Sequence, residues 1–376
     1  MCHSSSSTHG CVLFDDHIEK RPRFSFMHML CIKDRNAYVK KSCVRKETNV
    51  MKKRMTKFIC VLLVLVLAIG ALAACGNNGV GSNNGGGSKV EKPATDREGN
   101  AITVPDDVNR IVSLAPSITQ VLESLGVKDK VVGIDTNTPM YVTGLDSLPQ
   151  FDMMEPDVEK IAELEPDIVF TSGMSYIEGN PYQALVDMGI CVVVIPSSSS
   201  IEAINEDITF TAACISSDAV KKAEEINKEF QAEIDKIAEI GKTITDKKKV
   251  MFEISALPYL YSFGKGTFLD EMITIIGAEN VFGDQESWIS VTEEDAVKAN
   301  PDVILTSVNY IPDAVGEILG RPGWENVNAV KNKQVYYINN GASSLPNQYI
   351  IKALQQMAEA VYPDVYEYED VMEPAA

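Results

Sequence analysis

Most of this chain has no histidine. The four it contains, His3, His9, His17 and His28, all lie in the first tenth of its 376 residues. Everything after them therefore lacks the commonest general base, the usual zinc and copper ligand, and the imidazole that Ser-His-Asp and Cys-His sites require. Cysteine thins out in the same way: Cys2, Cys11, Cys31, Cys43 and Cys60 come early, and only Cys75, Cys191 and Cys214 remain beyond them. No disulfide framework is evident in that spacing. Cys191 opens an apolar run and Cys214 sits in a helix-like stretch, so both read as buried thiols, with a single bridge as the alternative. After Cys75 there are just three arginines, Arg97, Arg110 and Arg321, so few side chains can grip an anion in bidentate fashion.

Acidic residues, by contrast, are plentiful. The formal net charge is −19, but residues 1–50 carry nine Lys/Arg against five Asp/Glu and residues 51–74 carry four against none, which leaves −27 for residues 75–376. Such a charge repels nucleic acid, which is not expected as a partner, and anionic lipid surfaces. The length, with 45% hydrophobic and 23% charged residues, suffices for two domains with buried cores.

From Met51 the chain reads Lys52-Lys53-Arg54, an uncharged apolar stretch over 58–74, and Leu72-Ala73-Ala74-Cys75-Gly76. A basic region, an apolar region and small residues before a cut are the parts of a secretory signal. The apolar stretch lies at the lower limit of the roughly 17–25 residues needed to span a bilayer. The last five residues resemble a bacterial lipobox, which implies lipidation at Cys75 and anchorage to the outer face of the cytoplasmic membrane. Residues 1–50 are expected to be an over-extended N-terminus ahead of a second usable start, and 51–74 the signal peptide. Residues 75–100 then comprise the lipidated cysteine and a flexible Gly/Asn/Ser tether. Gly79-Val80-Gly81 within it follows no strand, so it is linker rather than a dinucleotide loop.

Beyond Arg110, β-branched runs alternate with helical patterns. Strands are expected at 111–114, 131–134, 168–171 and 192–195, and a second series at 250–254, 303–306 and 335–338; this is α/β patterning around mainly parallel sheets. Between the two series, Ser217–Gly241 has apolar Val220, Ala223, Ile226, Phe230, Ile234 and Ile237 at helical spacing, a serine before the start and a glycine at the end, so one long amphipathic helix is expected. The divisions are an N-terminal lobe at 101–216, a linking helix at 217–241, a C-terminal lobe at 242–366 and an acidic tail at 367–376.

The two series share a repeat. Glu159 stands seven residues before Pro166-Asp167, and Glu294 seven before Pro301-Asp302; each Pro-Asp is followed by an apolar strand ending in Thr171-Ser172 or Thr306-Ser307. Each copy is an acidic helix start, a short helix stopped by Pro-Asp, and a strand whose polar tip lies at the carboxyl edge of its sheet. Open α/β sheets bind ligands at that edge, so two lobes turned edge to edge would make a cleft.

The run Arg110-Ile111-Val112-Ser113-Leu114-Ala115-Pro116-Ser117-Ile118-Thr119, the two Pro-Asp units, Gly266-Thr267-Phe268 with Gly277-Ala278-Glu279-Asn280-Val281, and Pro322-Gly323-Trp324 with Ala329-Val330-Lys331 and Val335-Tyr336 resemble the iron-siderophore/cobalamin class of periplasmic binding proteins. The match covers about residues 101–362 in order. It implies an α/β fold of two Rossmann-like lobes joined by one long rigid helix, the class III periplasmic binding protein fold, and a substrate-binding lipoprotein of an ABC transporter rather than an enzyme. It also implies an iron-siderophore, haem or cobalamin ligand, a permease dimer as partner, no cofactor beyond the metal a ligand carries, and Glu159 and Glu294 as the residues that dock on the permease.

Candidate ligand contacts are Pro116 and Ser117, Ser172, and the aromatics Tyr141, Tyr176, Tyr259, Trp288 and Tyr310. Ser117 with Gln120 three residues on has the form of a capping box, and capping and ligand contact both fit it. The aromatics suit a large ring-bearing ligand, or packing. Trp324 reads as core. Lys265 is the one basic residue near an expected rim, so a near-neutral complex fits better than a strongly anionic one; Met153 or Met154 as a haem ligand would lack a histidine opposite. An extracellular hydrolase and a metal-ion binder of related bilobed shape are the alternatives, as is an adhesin or sensor. No carboxylate pair is singled out for a hydrolase, and metal-ion binders use histidine.

Overall fold

The computed structural model describes residues 91–176, 179–368 and 371–372; the expected signal, Cys75 and the Gly/Asn/Ser stretch of the tether lie outside them. The first half of the fold runs β1 (Ile111–Ser113), α1 (Pro116–Ser124), β2 (Val131–Asp135), β3 (Gln150–Phe151), α2 (Val158–Glu163), β4 (Ile168–Ser172), α3 (Gln183–Asp187), β5 (Cys191–Ile195) and α4 (Ile201–Ile215). Its strands form one parallel sheet in the order β3-β2-β1-β4-β5. These strands are short Val/Ile runs because helices cover both faces, so no alternation with polar residues is needed.

After the connecting helix α5 (Ser217–Gly241) come β6 (Lys249–Glu253), β7 (Tyr261–Phe263), α6 (Phe268–Ile275), β8 (Glu279–Asn280), β9 (Trp288–Ser290), α7 (Glu293–Ala299), β10 (Val303–Thr306), α8 (Ala314–Leu319), α9 (Asn328–Lys331), β11 (Val335–Tyr337), α10 (Asn340–Ser344) and α11 (Ile350–Val361). A second parallel sheet has the order β11-β10-β6-β8, and β7 and β9 pair antiparallel beside it. The fold is thus two Rossmann-like lobes joined by one long helix, as expected.

Helix α5 is capped by Ser216, whose hydroxyl accepts the amide of Ala219, and its 25 residues span about 37 Å at 1.5 Å each. Phe230, Ile234 and Ile237 are buried along one stripe, each contributing roughly 1.5–3 kcal/mol of apolar burial. The other end falls where the sequence reading put it: the helix closes at Gly241, and Lys242 is its cap. Gly241 also lets two backbones touch: a Cβ there would lie 2.1 Å from the carbonyl oxygen of Ile275 and 3.0 Å from the amide of Gly277. Gly277 in turn has φ +84°, the left-handed turn that ends α6.

Two stretches fold where the sequence suggested none. Residues 92–100, expected to close the tether, pack on the first lobe: Lys92 Nζ donates to the carbonyls of Cys214 and Ile215 at the end of α4, Thr95 bridges to Ala101, and the buried Asp96 carboxylate accepts the amide of Val194. In the expected acidic tail, the carbonyl of Val371 accepts from Gln356 and Tyr368 stacks on Tyr366.

Candidate ligand-binding cleft

Parallel strands put all their carboxyl ends on one edge. In the first lobe that edge carries Ser113, Asp135 and Ser172; in the second, Glu253 and Thr306. The two edges face each other, because one side chain touches both. The amide of Asn340 donates to the carbonyl of Ser307, just past β10 (2.8 Å), while its Oδ1 accepts the hydroxyl of Tyr141, just past β2 (3.2 Å).

Further contacts brace the lobes. Asn347 Nδ2 donates to Gln120 Oε1 (2.7 Å), Gln348 Nε2 to Ser124 Oγ (2.6 Å), and Tyr349 hydroxyl meets the same Ser124 Oγ at 3.0 Å. On the α4 side, the amide of Ile201 donates to Glu271 Oε2 at 2.8 Å, a first-lobe helix start held by a second-lobe carboxylate. The lobes are thus joined through α5 and through two polar seams.

A cavity of about 30 Å³ lies between the strand edge and α4, lined by Ala115, Ser117, Ser172, Ser198, Asp207 and, from the second lobe, Pro346. It has room for a water or two. Asp207 Oδ2 accepts the hydroxyl of Ser198 (2.7 Å) and Oδ1 accepts Arg97 Nε (2.7 Å); burial pushes its carboxyl up, and these two bonds pull it back.

Ser117 and Ser172 therefore line one cavity; the repeat had pointed to Ser172, and the helix start after β1 to Ser117. Ser117 does so without capping: α1 begins at Pro116, Ala115 occupies the cap position with no side-chain bond, and Gln120 turns to Asn347. Proline at the first helical position displaced the cap by two residues, since its ring sets φ and its missing N–H costs nothing there. Tyr141 serves the seam, with its ring against Gly341. Tyr176 is half-buried, 6.0 Å from the Tyr182 ring. Tyr259 and Tyr310 share the rim of the second lobe: both are exposed, and the Tyr310 hydroxyl accepts the amide of Ala256 at 2.9 Å, while the amide of Tyr259 bonds the Ala256 carbonyl.

Trp288 does not line the Ser117–Ser172 cavity. Its ring meets Phe263 and Phe268 edge-on at 6.0 and 6.3 Å and lines a separate open groove of about 820 Å³ with Glu286, Asp295 and Lys298. Lys265 is exposed and pairs with Glu286 at 3.7 Å. Met153 is buried in the first-lobe core, and so is Trp324 in the second. Cys191 and Cys214 are free thiols, which removes the bridge.

Two features were not legible. Asp135, 1% exposed, sits at the carboxyl end of β2, where burial pushes its carboxyl up to about 6 against the bonds it accepts from Asn137; the Asp-x-Asn spacing was the available signal. Glu253, at the end of β6, holds Arg321 in a fork, Nη1 to Oε2 at 2.7 Å and Nη2 to Oε1 at 3.0 Å. We read this buried pair as ionised, since both guanidinium donors meet both carboxylate oxygens.

Every arginine among the described residues is committed: Arg97 to Glu206 and Asp207, Arg110 to the carbonyls of Leu164 and Glu165, and Arg321 to Glu253 and Glu317. The repeat itself appears as α2-β4 and α7-β10. A helix feeding a parallel strand runs antiparallel to it, so both helix starts lie at the cleft edge. Glu159 and Glu294 occupy the two first turns, both exposed.

Residues 111–342 match the family model described as "Periplasmic binding protein". The chain is 33% identical over 323 residues to an uncharacterised ABC transporter substrate-binding lipoprotein, YvrC, of Bacillus subtilis, covering 84% of this chain and 99% of that one. It is 25% identical over 302 residues to the Fe(3+)-citrate-binding protein YfmC of the same organism, covering 76% and 90%. A crystal structure of a possible iron-binding, periplasmic solute-binding protein from Staphylococcus epidermidis superposes with a TM-score of 0.60 at 28% identity, covering 68% of this chain and 99% of that one.

Proposed function

Because this chain belongs to the periplasmic binding protein family, we propose that it is the extracytoplasmic solute receptor of an ABC importer, held by lipid at Cys75, that delivers an iron complex or a corrinoid to a permease dimer. The observation that carries the proposal is the pair of parallel-sheet edges facing across a cleft, bridged by Asn340 between Ser307 and Tyr141. The cavity lined by Ser117 and Ser172 accepts a polar edge of a ligand, not its bulk; drug-sized ligands need roughly 300–1,000 Å³. The bulk would lie against the exposed rings of Tyr259 and Tyr310.

The ligand we favour is near-neutral, such as a ferric hydroxamate or a cobalamin. Anionic complexes call for free guanidinium groups, and the three arginines are each taken by protein partners. Lipid anchoring is consistent with the 33%-identical relative from Bacillus subtilis, which is named a lipoprotein.

Fluorescence tests this directly, since Trp288 and Trp324 are the two tryptophans of the chain. Titration with cyanocobalamin, ferrioxamine, haem and ferric enterobactin should give sub-micromolar quenching by at least one of the first two, and silence from all four would refute the proposal. For delivery, Glu159→Ala with Glu294→Ala should leave solute affinity unchanged and abolish uptake; unimpaired uptake would remove the permease from the account.

A further inference from the structure

We infer that Trp324 and Glu293 form an anchor that aims Glu294, which makes them positioning residues for docking of the second lobe; the inference rests on the proposed docking role of Glu294. The Trp324 side chain is fully buried, and a buried indole N–H must find an acceptor. It donates to Oε1 of Glu293 at 3.0 Å, the residue immediately before Glu294 in the first turn of α7.

The indole is itself held. The Arg321 guanidinium lies over the ring, 4.9 Å from its centroid, and Arg321 is clamped by Glu253 on one side and Glu317 on the other. The brace therefore runs from the cleft end of β6, through a buried ion pair and an aromatic ring, to the docking turn.

Adjacent residues on a helix point about 100° apart, so fixing Glu293 fixes the direction of Glu294. Helix α7 has only seven residues, too few to be stable by its own bonds. Its other supports include the Thr292 hydroxyl, which accepts the amide of Asp295 at 3.1 Å, and the buried Ala296 with Val297 and Ala299 packed beside it. Where the second lobe has Glu293, the repeat in the first lobe has Val158, half-buried against the core. Both helices pack apolar residues on their cores, but the residue before the glutamate is held by packing in one copy and by a directional bond from an indole N–H in the other. A docking carboxylate already aimed at its partner gives up less freedom on pairing.

The test compares Glu293→Ala, Glu293→Gln, Trp324→Phe and Glu294→Ala in the full chain. The readouts are amide hydrogen exchange across α7, affinity for the importer's purified permease–ATPase complex in nanodiscs, and global unfolding. Glu293→Ala leaves the buried indole N–H without its acceptor, so it should exchange at least tenfold faster in α7 and dock roughly tenfold more weakly, with global stability lowered by no more than the same factor. Glu293→Gln should restore both, because its amide oxygen still accepts the indole N–H.

Unchanged exchange in Glu293→Ala, or a Glu293→Gln variant that docks as poorly as Glu293→Ala, would overturn the anchor. Should Trp324→Phe fail to fold, the Glu293 pair alone decides. Unchanged docking of Glu294→Ala would instead overturn the docking role itself, and the anchor's function with it, even if exchange in α7 responds to Glu293→Ala.

Discussion

Replacing Gly241 by alanine probes the junction between the linking helix and the second lobe. The added Cβ would stand 2.1 Å from the carbonyl oxygen of Ile275 and 3.0 Å from the amide of Gly277 and the carbonyl carbon of Ile276. All three are backbone atoms, so no side chain can swing aside. Ordinary contact lies near 3.4 Å, so the α6 terminus must retreat by about 1.3 Å, and close-packed interiors resist such shifts. Overpacking of this kind costs roughly 1–3 kcal/mol, while alanine in place of glycine in a helix returns at most about 1 kcal/mol. The net expectation is destabilisation by about 1–2 kcal/mol, read as a lower denaturant midpoint in equilibrium unfolding followed by circular dichroism. At roughly 2–4 °C per kcal/mol for a protein of this size, thermal unfolding should shift downward by several degrees. An alanine variant as stable as the parent, or more so, would refute the account, because helix propensity would then have met no steric opposition.

Asp135 should make stability depend on pH. Its folded carboxyl is raised from 3.8 to about 6, so the protonated form is favoured by the fold and stability is highest below the unfolded value, falling as pH rises from about 4 through about 6. The shift of about two units corresponds to about 3 kcal/mol at most, and Asp135→Asn, which keeps an oxygen for Asn137, should flatten the profile over that window; an unaltered slope in the variant would disprove the assignment. Burial pushes the Cys191 thiol up to about 11 and the Cys214 thiol up to about 12, so neither should react with a water-soluble thiol reagent at pH 8 until the protein unfolds, and fast native-state labelling of either would contradict their placement.

Which parts of this architecture are written in the sequence follows from how local their signals are. The linking helix is legible because its apolar spacing, its serine start and its length lie within one segment, and the structure places it at the expected residues, Ser217–Gly241. The repeat is legible because each copy confirms the other: Pro166-Asp167 and Pro301-Asp302 stop a helix and open a strand in both. Strand ends moved by a residue, and β3, β7, β8 and β9, two or three residues each, were too short to show any period.

The cleft was harder to read. Its seam joins residues 199 to 230 positions apart, such as Tyr141 with Asn340 and Ser117 with Asn347, and no periodicity announces such partners. The Arg321–Glu253 fork spans 68 positions, so neither residue's local sequence points to the other. Ser117 misled because serine with glutamine three residues on normally caps a helix, and only the proline before it shifts the start. Trp288 stands beside the repeat in sequence, but in space its ring meets Phe263 and Phe268 at a groove apart from the Ser117–Ser172 cavity.

The double bracing of the lobes has a consequence for how an importer could tell a loaded receptor from an empty one. A body pinned at a rod and at two polar seams resists twisting, so the separation between Glu159 and Glu294 is nearly a constant of the molecule. A permease gripping both would feel the same span either way, and the news of cargo would have to travel as a change in what lies exposed between the grips, or in how readily the seams come apart.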